Sequence, residues 1–257
     1  MTDGQRAIYV YGIVAASDRT EIESAGVGRE HIRVRRISQD GIAALVSDLS
    51  EGALAAARDL RAHWSVLGEA AARTTVLPVR FGTVMESEQA VSLDLLAPNA
   101  ERLAATLAEL DGKVQLSVKG FYDEELLLRQ VVQEAPAIAR MRERVHGLPQ
   151  AATYYDRIRL GELVAAEVDR HRAQDAELVL GRLEPLAVAA RAEPPTTKNA
   201  ALDTAFLVER ERVDAFGHAV QELAGELGAR VRIRFIGPLP PYSFADQEAT
   251  LTSGAWA

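Results

Sequence analysis

The apolar positions change period along the chain, and each change marks an element. Ile8 to Val14 (IYVYGIV) is a nearly continuous apolar and aromatic run, which predicts a central strand buried on both faces. Residues 31–37 and 42–46 predict a second and a third strand. Asp40-Gly41 between them tolerates the positive φ angles of a tight turn, so the pair predicts a hairpin. Leu60, Trp64, Leu67 and Ala71 then fall at i, i+4, i+7 and i+11, the apolar stripe of an amphipathic helix. Val76 to Val84 (VLPVRFGTV) predicts a short strand, and Pro78 places it at an edge or a bend. Two helical pieces split by Pro98 follow; the second carries Leu103, Leu107 and Leu110 on one face and stops at Asp111-Gly112. The first 112 residues therefore predict β-β-β-α-β-α.

The pattern restarts at Gly112. Lys113 to Lys119 (KVQLSVK) alternates, with Val114, Leu116 and Val118 on one face and Lys113, Gln115, Ser117 and Lys119 on the other. Asp123 is placed to cap the helix that begins EELLLRQVV, with Glu124 and Glu125 in its dipole-favoured first turn. Pro136 and Pro149 break the helical region that follows. Its longest piece comes after Pro149, where Tyr154, Ile158, Gly161, Ala165 and Val168 keep a stripe. Two strands are predicted near Leu186–Ala192 and Ala205–Glu209, joined by the turn-rich EPPTTKN. A helix on Val213, Phe216, Val220, Leu223 and Leu227 ends at Gly228.

Arg230 to Asp246 (RVRIRFIGPLPPYSFAD) closes the chain's periodic part. Its first half alternates arginine with Val231, Ile233 and Phe235, as a strand does. Its second half holds three prolines and Gly237 and predicts a stiff extended tail that prolongs no sheet. The second half thus reads β-α-β-β-α-β, the ferredoxin-like split arrangement. The expected fold class is α+β in two domains: residues 1–112 as an N-terminal α/β domain with a mixed sheet, and residues 113–257 as a ferredoxin-like domain with an enlarged helical connection and an extended tail.

Composition narrows the class. Apolar residues make up 48% and charged residues 26% of the 257, which places the chain among globular proteins. It has no cysteine, so disulfides, thiolate metal sites and cysteine nucleophiles are all excluded, in keeping with a reducing cytoplasm. A net charge of −8 argues against a general binder of nucleic acid or anionic membrane. The N-terminus MTDGQRAIYVYGIV lacks the basic-then-apolar build of a signal peptide, and no stretch approaches the roughly 18 apolar residues of a membrane helix. A soluble intracellular protein is expected.

Recognised catalytic motifs are missing. Neither G-x-x-x-x-G-K-[ST] nor G-x-G-x-x-G nor G-x-S-x-G occurs. The histidines at 31, 63, 146, 171 and 218 form no pair at His-x-x-x-His spacing and read as isolated surface residues. Glu124 and Glu125 are adjacent on a helix and point different ways, so they share no site. Tyr9, Tyr11, Tyr154 and Tyr155 read as core or interface residues. The expectation is no catalytic residue, no metal and no cofactor.

Three patches remain. Arg230, Arg232 and Arg234, with Lys113 and Lys119 on the neighbouring strand of a ferredoxin-like order, make one cationic sheet face. It suits an acidic partner or the protein's other domain; the alternative is a solvated face. Arg80 within Pro78 to Gly82 (PVRFG) reads as a buried ion-pair anchor or a domain contact. Gly237 to Phe244 (GPLPPYSF) either packs back on its own body through Tyr242 and Phe244 or serves as a ligand for proline-reading domains.

These blocks carry a resemblance. YVYGIV, VLPVRFGTV, KGFYDEELLL and FIGPLPPYSFAD, in that order, resemble the conserved blocks of the gas vesicle protein F/L family across essentially the full length. Tyr9 and Gly12 fall in the first block. Arg80, Phe81 and Gly82 map onto the family's Arg-Phe-Gly, and Gly237, Pro238, Pro240, Pro241, Tyr242 and Phe244 onto its Gly-Pro-x-Pro-Pro-Tyr-x-Phe tail. The resemblance implies a cytoplasmic, gas-vesicle-associated accessory protein with an N-terminal α/β and a C-terminal ferredoxin-like domain. It would associate with the small hydrophobic shell protein and other accessory proteins, and help assembly or limit aggregation, with no enzymatic activity or cofactor. The competing expectation is a ferredoxin-like small-molecule binder or enzyme using a cleft between domains.

Overall fold

The computed structural model describes residues 7–28, 32–49, 56–194, 197 and 199–245. His31, the tail's last residue Asp246, and Pro195, Thr196 and Lys198 of the turn-rich stretch lie outside the described residues. Among the described residues two sheets carry the architecture, and both are antiparallel, so the mixed sheet expected of the N-terminal part is not found: each of its strands pairs antiparallel with its neighbour.

The first sheet is built around β1 (Ala7–Ala15), buried at every position but its two ends. β2 (Arg35–Gln39) and β3 (Ile42–Leu49) form a hairpin whose turn places Asp40 at φ 47° and Gly41 at φ 85°. That pair of positive angles gives a two-residue turn the twist of its strands, which is why Asp-Gly marks it. The order is β2-β3-β1-β4, with β4 (Leu77–Pro78) and β5 (Val84–Met85) both paired to β1. Val76 to Val84 is thus not one strand. A turn at Arg80–Thr83, closed by Thr83 N donating to Arg80 O at 3.2 Å, separates two short pairings, because Pro78 lacks the donor a longer ladder needs.

The register of β1 against β3 shifts between Val10 and Gly12. A bulge at Tyr11 changes the phase of the alternation. Ile8, Val10 and Ile13 consequently share one core with Leu95, Leu96, Leu103, Leu107 and Leu110, while Tyr9, Tyr11 and Val14 share the other with Val66, Leu67 and Ala70. Gly12 lies at the shift, where an added Cβ would come 2.8 Å from Leu77 O and 2.9 Å from Leu67 Cδ2. Because one of these atoms is backbone, Gly12→Ala is expected to cost about 2–3 kcal/mol, read as a lower urea midpoint at unchanged slope.

α1 (Ala56–Arg73) buries Leu67 and Ala71 of its expected stripe but not Leu60 and Trp64. Leu60 and Trp64 are 40% and 42% exposed, whereas Asp59, His63, Val66 and Ala70 are buried. In the first half of the helix the buried line therefore runs one position before the apolar stripe, so that two polar residues face inward. Pro98 does not split the next helical region either. α2 (Glu88–Ala90), a π-helical stretch Val91–Leu96, a 3-10 turn Ala97–Asn99 and α3 (Ala100–Glu109) run on without an extended break. Pro98 sits at the start of the tighter turn, where its absent N–H is not required.

The second sheet has the order β7-β8-β6-β9, from β6 (Lys113–Tyr122), β7 (Ala189–Ala192), β8 (Ala200–Glu209) and β9 (Val231–Leu239). Between β6 and β7 run α4 (Glu124–Glu134), α5 (Pro136–Val145) and the 30-residue α6 (Tyr154–Leu183). α4 starts where Asp123 accepts from Leu126 N at 3.0 Å, and α5 starts at Pro136. α7 (Val213–Leu227) buries Phe216, Val220, Leu223 and Leu227 and is capped by Gly228. The strand expected from Leu186 begins only at Ala189, because Glu184–Leu186 with Pro185 forms a 3-10 turn.

β9 corrects a further expectation. It continues through Gly237 and Pro238 to Leu239 rather than ending before them. As an edge strand it has one side unpaired, so a proline without N–H is accommodated. Gly237 adopts φ 149° with Leu116 Cδ2 2.6 Å from where a Cβ would stand, so glycine alone fits. The chain divides into two compact units. One takes the chain up to Leu116, Leu207–Arg210 and the chain from Gly237 onward; the other takes Ser117–Phe206 and Glu211–Ile236.

Candidate functional site

In the first unit three of the four recognisable blocks converge on one buried histidine. β1 supplies Tyr9 and Tyr11, the turn after β4 supplies Phe81 and Gly82, the tail supplies Tyr242, and α1 supplies His63 at 1% exposure. Tyr9 Oη accepts from Gly82 N at 3.0 Å and lies 3.0 Å from His63 Nδ1. Tyr242 Oη lies 3.3 Å from His63 Nε2. Both ring nitrogens of His63 thus meet a tyrosine hydroxyl, Nδ1 that of Tyr9 and Nε2 that of Tyr242, and each hydroxyl can donate or accept. Tyr11 stacks on the ring at 5.7 Å and Phe81 meets it edge-on at 5.6 Å.

Burial dominates the electrostatics here. It pushes His63 down to about 4, opposed only by a backbone hydrogen bond at Val79. The same desolvation raises Tyr9 to about 12 and raises Tyr11 and Tyr242 as well. Tyr11 Oη is further held by Ser47 Oγ at 2.8 Å and accepts from Val27 N at 2.6 Å. The hub therefore keeps its groups uncharged at neutral pH and holds one strand, one turn, one helix and the tail in register.

The tail packs on its own body, as its aromatic content suggests. Pro240 and Pro241 are buried, Tyr242 lies 4.9 Å from Trp64 in ring centroids, and Phe244 packs against the core of Leu95 and Leu103. Ser243 N donates to Gln115 Oε1 at 2.8 Å, which explains why Gln115 is buried on a face that alternation marks as open. Arg80 is exposed, so the reading of a buried ion-pair anchor does not hold; its carbonyl closes the turn by accepting from Thr83 Oγ1 at 2.8 Å.

The basic residues of the second sheet are placed unevenly. Arg230 makes a two-pronged pair with Asp175, Nη1 to Oδ2 at 2.5 Å and Nη2 to Oδ1 at 2.8 Å, and Tyr122 Oη donates to the same carboxylate at 2.6 Å. That carboxylate holds the Arg230 guanidinium above its usual range, while burial first and Asp175 second raise Tyr122. Lys119 pairs with Asp203 at 2.6 Å, and Lys113 Nζ donates to Glu109 O at 2.6 Å. Arg232 and Arg234 are exposed on the edge strand β9, beside Phe235 at 38% exposure.

α6 departs most from its expected packing. From Tyr154 to Arg170 no residue is buried, and Tyr155 is 83%, Tyr154 59% and Ile158 45% exposed. Burial begins at His171 and continues through Asp175, Val179 and Leu183 at four-residue steps. So the stripe from Tyr154 to Val168 exists but faces solvent. His146 and His218 are exposed as expected; His63 and His171, at 1% and 4%, are not surface residues. A lone polar residue in an apolar stripe has no local signal, so neither Asp175 nor His63 stands out in the sequence, although the i, i+4 run from His171 to Leu183 is a signal that could have found Asp175.

Two sheets with flanking helices, and motif residues gathered in a buried hub, define a mixed α+β protein whose recognisable sequence blocks hold the fold together. Residues 7–246 match the family model described as gas vesicle synthesis protein GvpL/GvpF, and the chain belongs to that family. Among curated relatives it is similar to gas vesicle protein F of Streptomyces sp. (strain CB03234), 38% identical over 93% of this chain and 99% of the relative. Among solved structures it is similar to the crystal structure of GvpF from Anabaena sp. PCC7120, with TM-score 0.81 and 27% identity over 94% of this chain and 98% of that one. The crystal structure of GvpF from Microcystis aeruginosa aligns with TM-score 0.74 at 26% identity, covering 93% and 99%. No helix among the described residues is long and apolar enough to cross a membrane.

Proposed function

We propose that this chain is a non-catalytic accessory protein of gas vesicle formation, acting in the cytoplasm and at the vesicle. It binds the small hydrophobic shell protein, alongside other accessory proteins of the vesicle, and so helps its assembly or limits its aggregation. Membership of the gas vesicle family supports the setting. The observation that carries binding is the first half of α6, which leaves Tyr154, Tyr155 and Ile158 largely exposed to solvent. Contiguous exposed aromatic and aliphatic side chains suit a partner that must keep apolar surface from water before incorporation. Arg232 and Arg234 supply a second, charged contact, whereas Arg230, Lys119 and Lys113 already have partners of their own.

The order β7-β8-β6-β9, with helices between the first and second and the third and fourth of these strands along the chain, supports reading residues 113–257 as the ferredoxin-like domain. Capture of purified shell protein by the immobilised full chain tests the function. Tyr155→Glu with Ile158→Glu is expected to weaken capture at least about tenfold with an unchanged circular dichroism spectrum. Arg232→Glu with Arg234→Glu is expected to weaken it less and to make it less salt-sensitive. Undiminished capture by both double variants would rule out this reading of the surface, and no capture by the wild type would rule out the function.

A further inference from the structure

In the second unit a polar cluster joins α4 to α6. Glu134 is the last residue of α4, and Glu167 and His171 stand one turn apart on α6, on the same face. His171 is 4% exposed, and its buried Nε2 makes no hydrogen bond. That atom is aimed at two carboxylates: Glu134 Oε2 lies 3.4 Å away and Glu167 Oε1 3.9 Å away, and the three atoms all lie within 4.8 Å of one another. A buried ring nitrogen without a hydrogen bond is uncommon, and one pointed between two acids calls for a cation.

The spacing selects the kind of cation. Bonds of about 2.0–2.2 Å in a tetrahedral site set neighbouring ligand atoms roughly 3.3–3.5 Å apart, so 3.4 and 3.9 Å need only small rotations of the two glutamates. The ligand set, one imidazole and two carboxylates, suits zinc, cobalt or nickel better than the all-oxygen shells of calcium or magnesium. Gln130 Nε2 donates to Glu134 Oε1 at 2.6 Å, which fixes that carboxylate and leaves its other oxygen facing His171. Arg170 pairs with both acids, at 3.5 Å to Glu134. It is 44% exposed and also donates to Gln174 Oε1 at 2.9 Å, so it has somewhere to go when an ion arrives.

We propose that Glu134, Glu167 and His171 form a divalent transition-metal site, with zinc the best fit and water as fourth ligand, which clamps the end of α4 to the middle of α6. The site goes beyond the binding role argued above and does not depend on it. Titrating the EDTA-treated full chain with zinc chloride and cobalt chloride tests it. The expected result is about one equivalent bound with micromolar or tighter affinity, visible cobalt absorption of tetrahedral strength, and a raised Tm. Glu134→Gln and Glu167→Gln, at side chains that are not fully buried, are expected each to weaken zinc at least about tenfold without unfolding the chain, and Arg170→Ala to tighten it. His146→Asn with His218→Asn, on exposed histidines, is expected to leave binding unchanged. Zinc affinity unaltered in both glutamine variants, or lost in the surface-histidine variant, would overturn the assignment, as would binding weaker than about millimolar.

Discussion

Replacing Asp175 with alanine is expected to lower the unfolding free energy by about 3–5 kcal/mol, the largest single effect in the second unit. The carboxylate is 5% exposed and takes three donors: both terminal nitrogens of Arg230 and the Tyr122 hydroxyl. Alanine removes all three acceptor contacts at once and strands a guanidinium that is only 19% exposed. The cost arises from the unpaired groups, not from the worth of the pair, since a buried pair roughly balances its own desolvation. Asp175→Leu combined with Arg230→Met should therefore recover most of the loss. Urea unfolding of the three proteins decides the matter. A loss below about 1 kcal/mol for Asp175→Ala, or no recovery in the double variant, would show that Arg230 and Tyr122 find water instead.

The same carboxylate shows where local pattern stops being informative. Asp175 sits 53 residues from Tyr122 and 55 from Arg230, and the hub links His63 to Tyr242 across 179 positions. Elements whose cause is local are legible: the Asp40-Gly41 hairpin from its two positive φ angles, the Asp123 cap from one side-chain bond, and α7 from its apolar period. Periodicity reports that a stripe exists but not whether another element covers it. That is why the α6 stripe that holds Tyr154 and Ile158 is present but faces solvent, and why α1 buries Asp59 and His63 in place of the expected Leu60 and Trp64.

The tail divides along the same line. Its return to the body follows from Tyr242 and Phe244, because aromatic side chains of that size seek cover. Its start does not, because the rule that proline ends a strand assumes both edges are paired, and β9 has one edge free. Of the candidate site, the Tyr9, Phe81, Gly82 and Tyr242 positions are found through their blocks, and the residue at their centre is missed because His63 belongs to none of them.

That central residue makes the protein acid-sensitive in a defined window. His63 has a folded value of about 4 against 6.5 for an unburied histidine, so the unfolded chain takes up its proton first as pH falls. Stability from this group is complete above about pH 6.5, declines as pH drops toward about 4, and changes no further below that. The shift corresponds to a loss on the order of 3 kcal/mol at most, because rearrangement or water entry would soften it. A charged ring would also draw water to the buried contact between His63 Nε2 and Tyr242 Oη, so release of the tail should accompany the loss. Trp64 stands 4.9 Å from Tyr242, and its fluorescence in a Trp256→Phe background reports that release. His63→Gln, which keeps a donor and an acceptor but no titratable group, is expected to be less stable at pH 7 and to lose much less between pH 6.5 and 4. Parallel stability curves for wild type and His63→Gln through that window would mean that the acid response belongs to other groups and that the hub tolerates a charged imidazole.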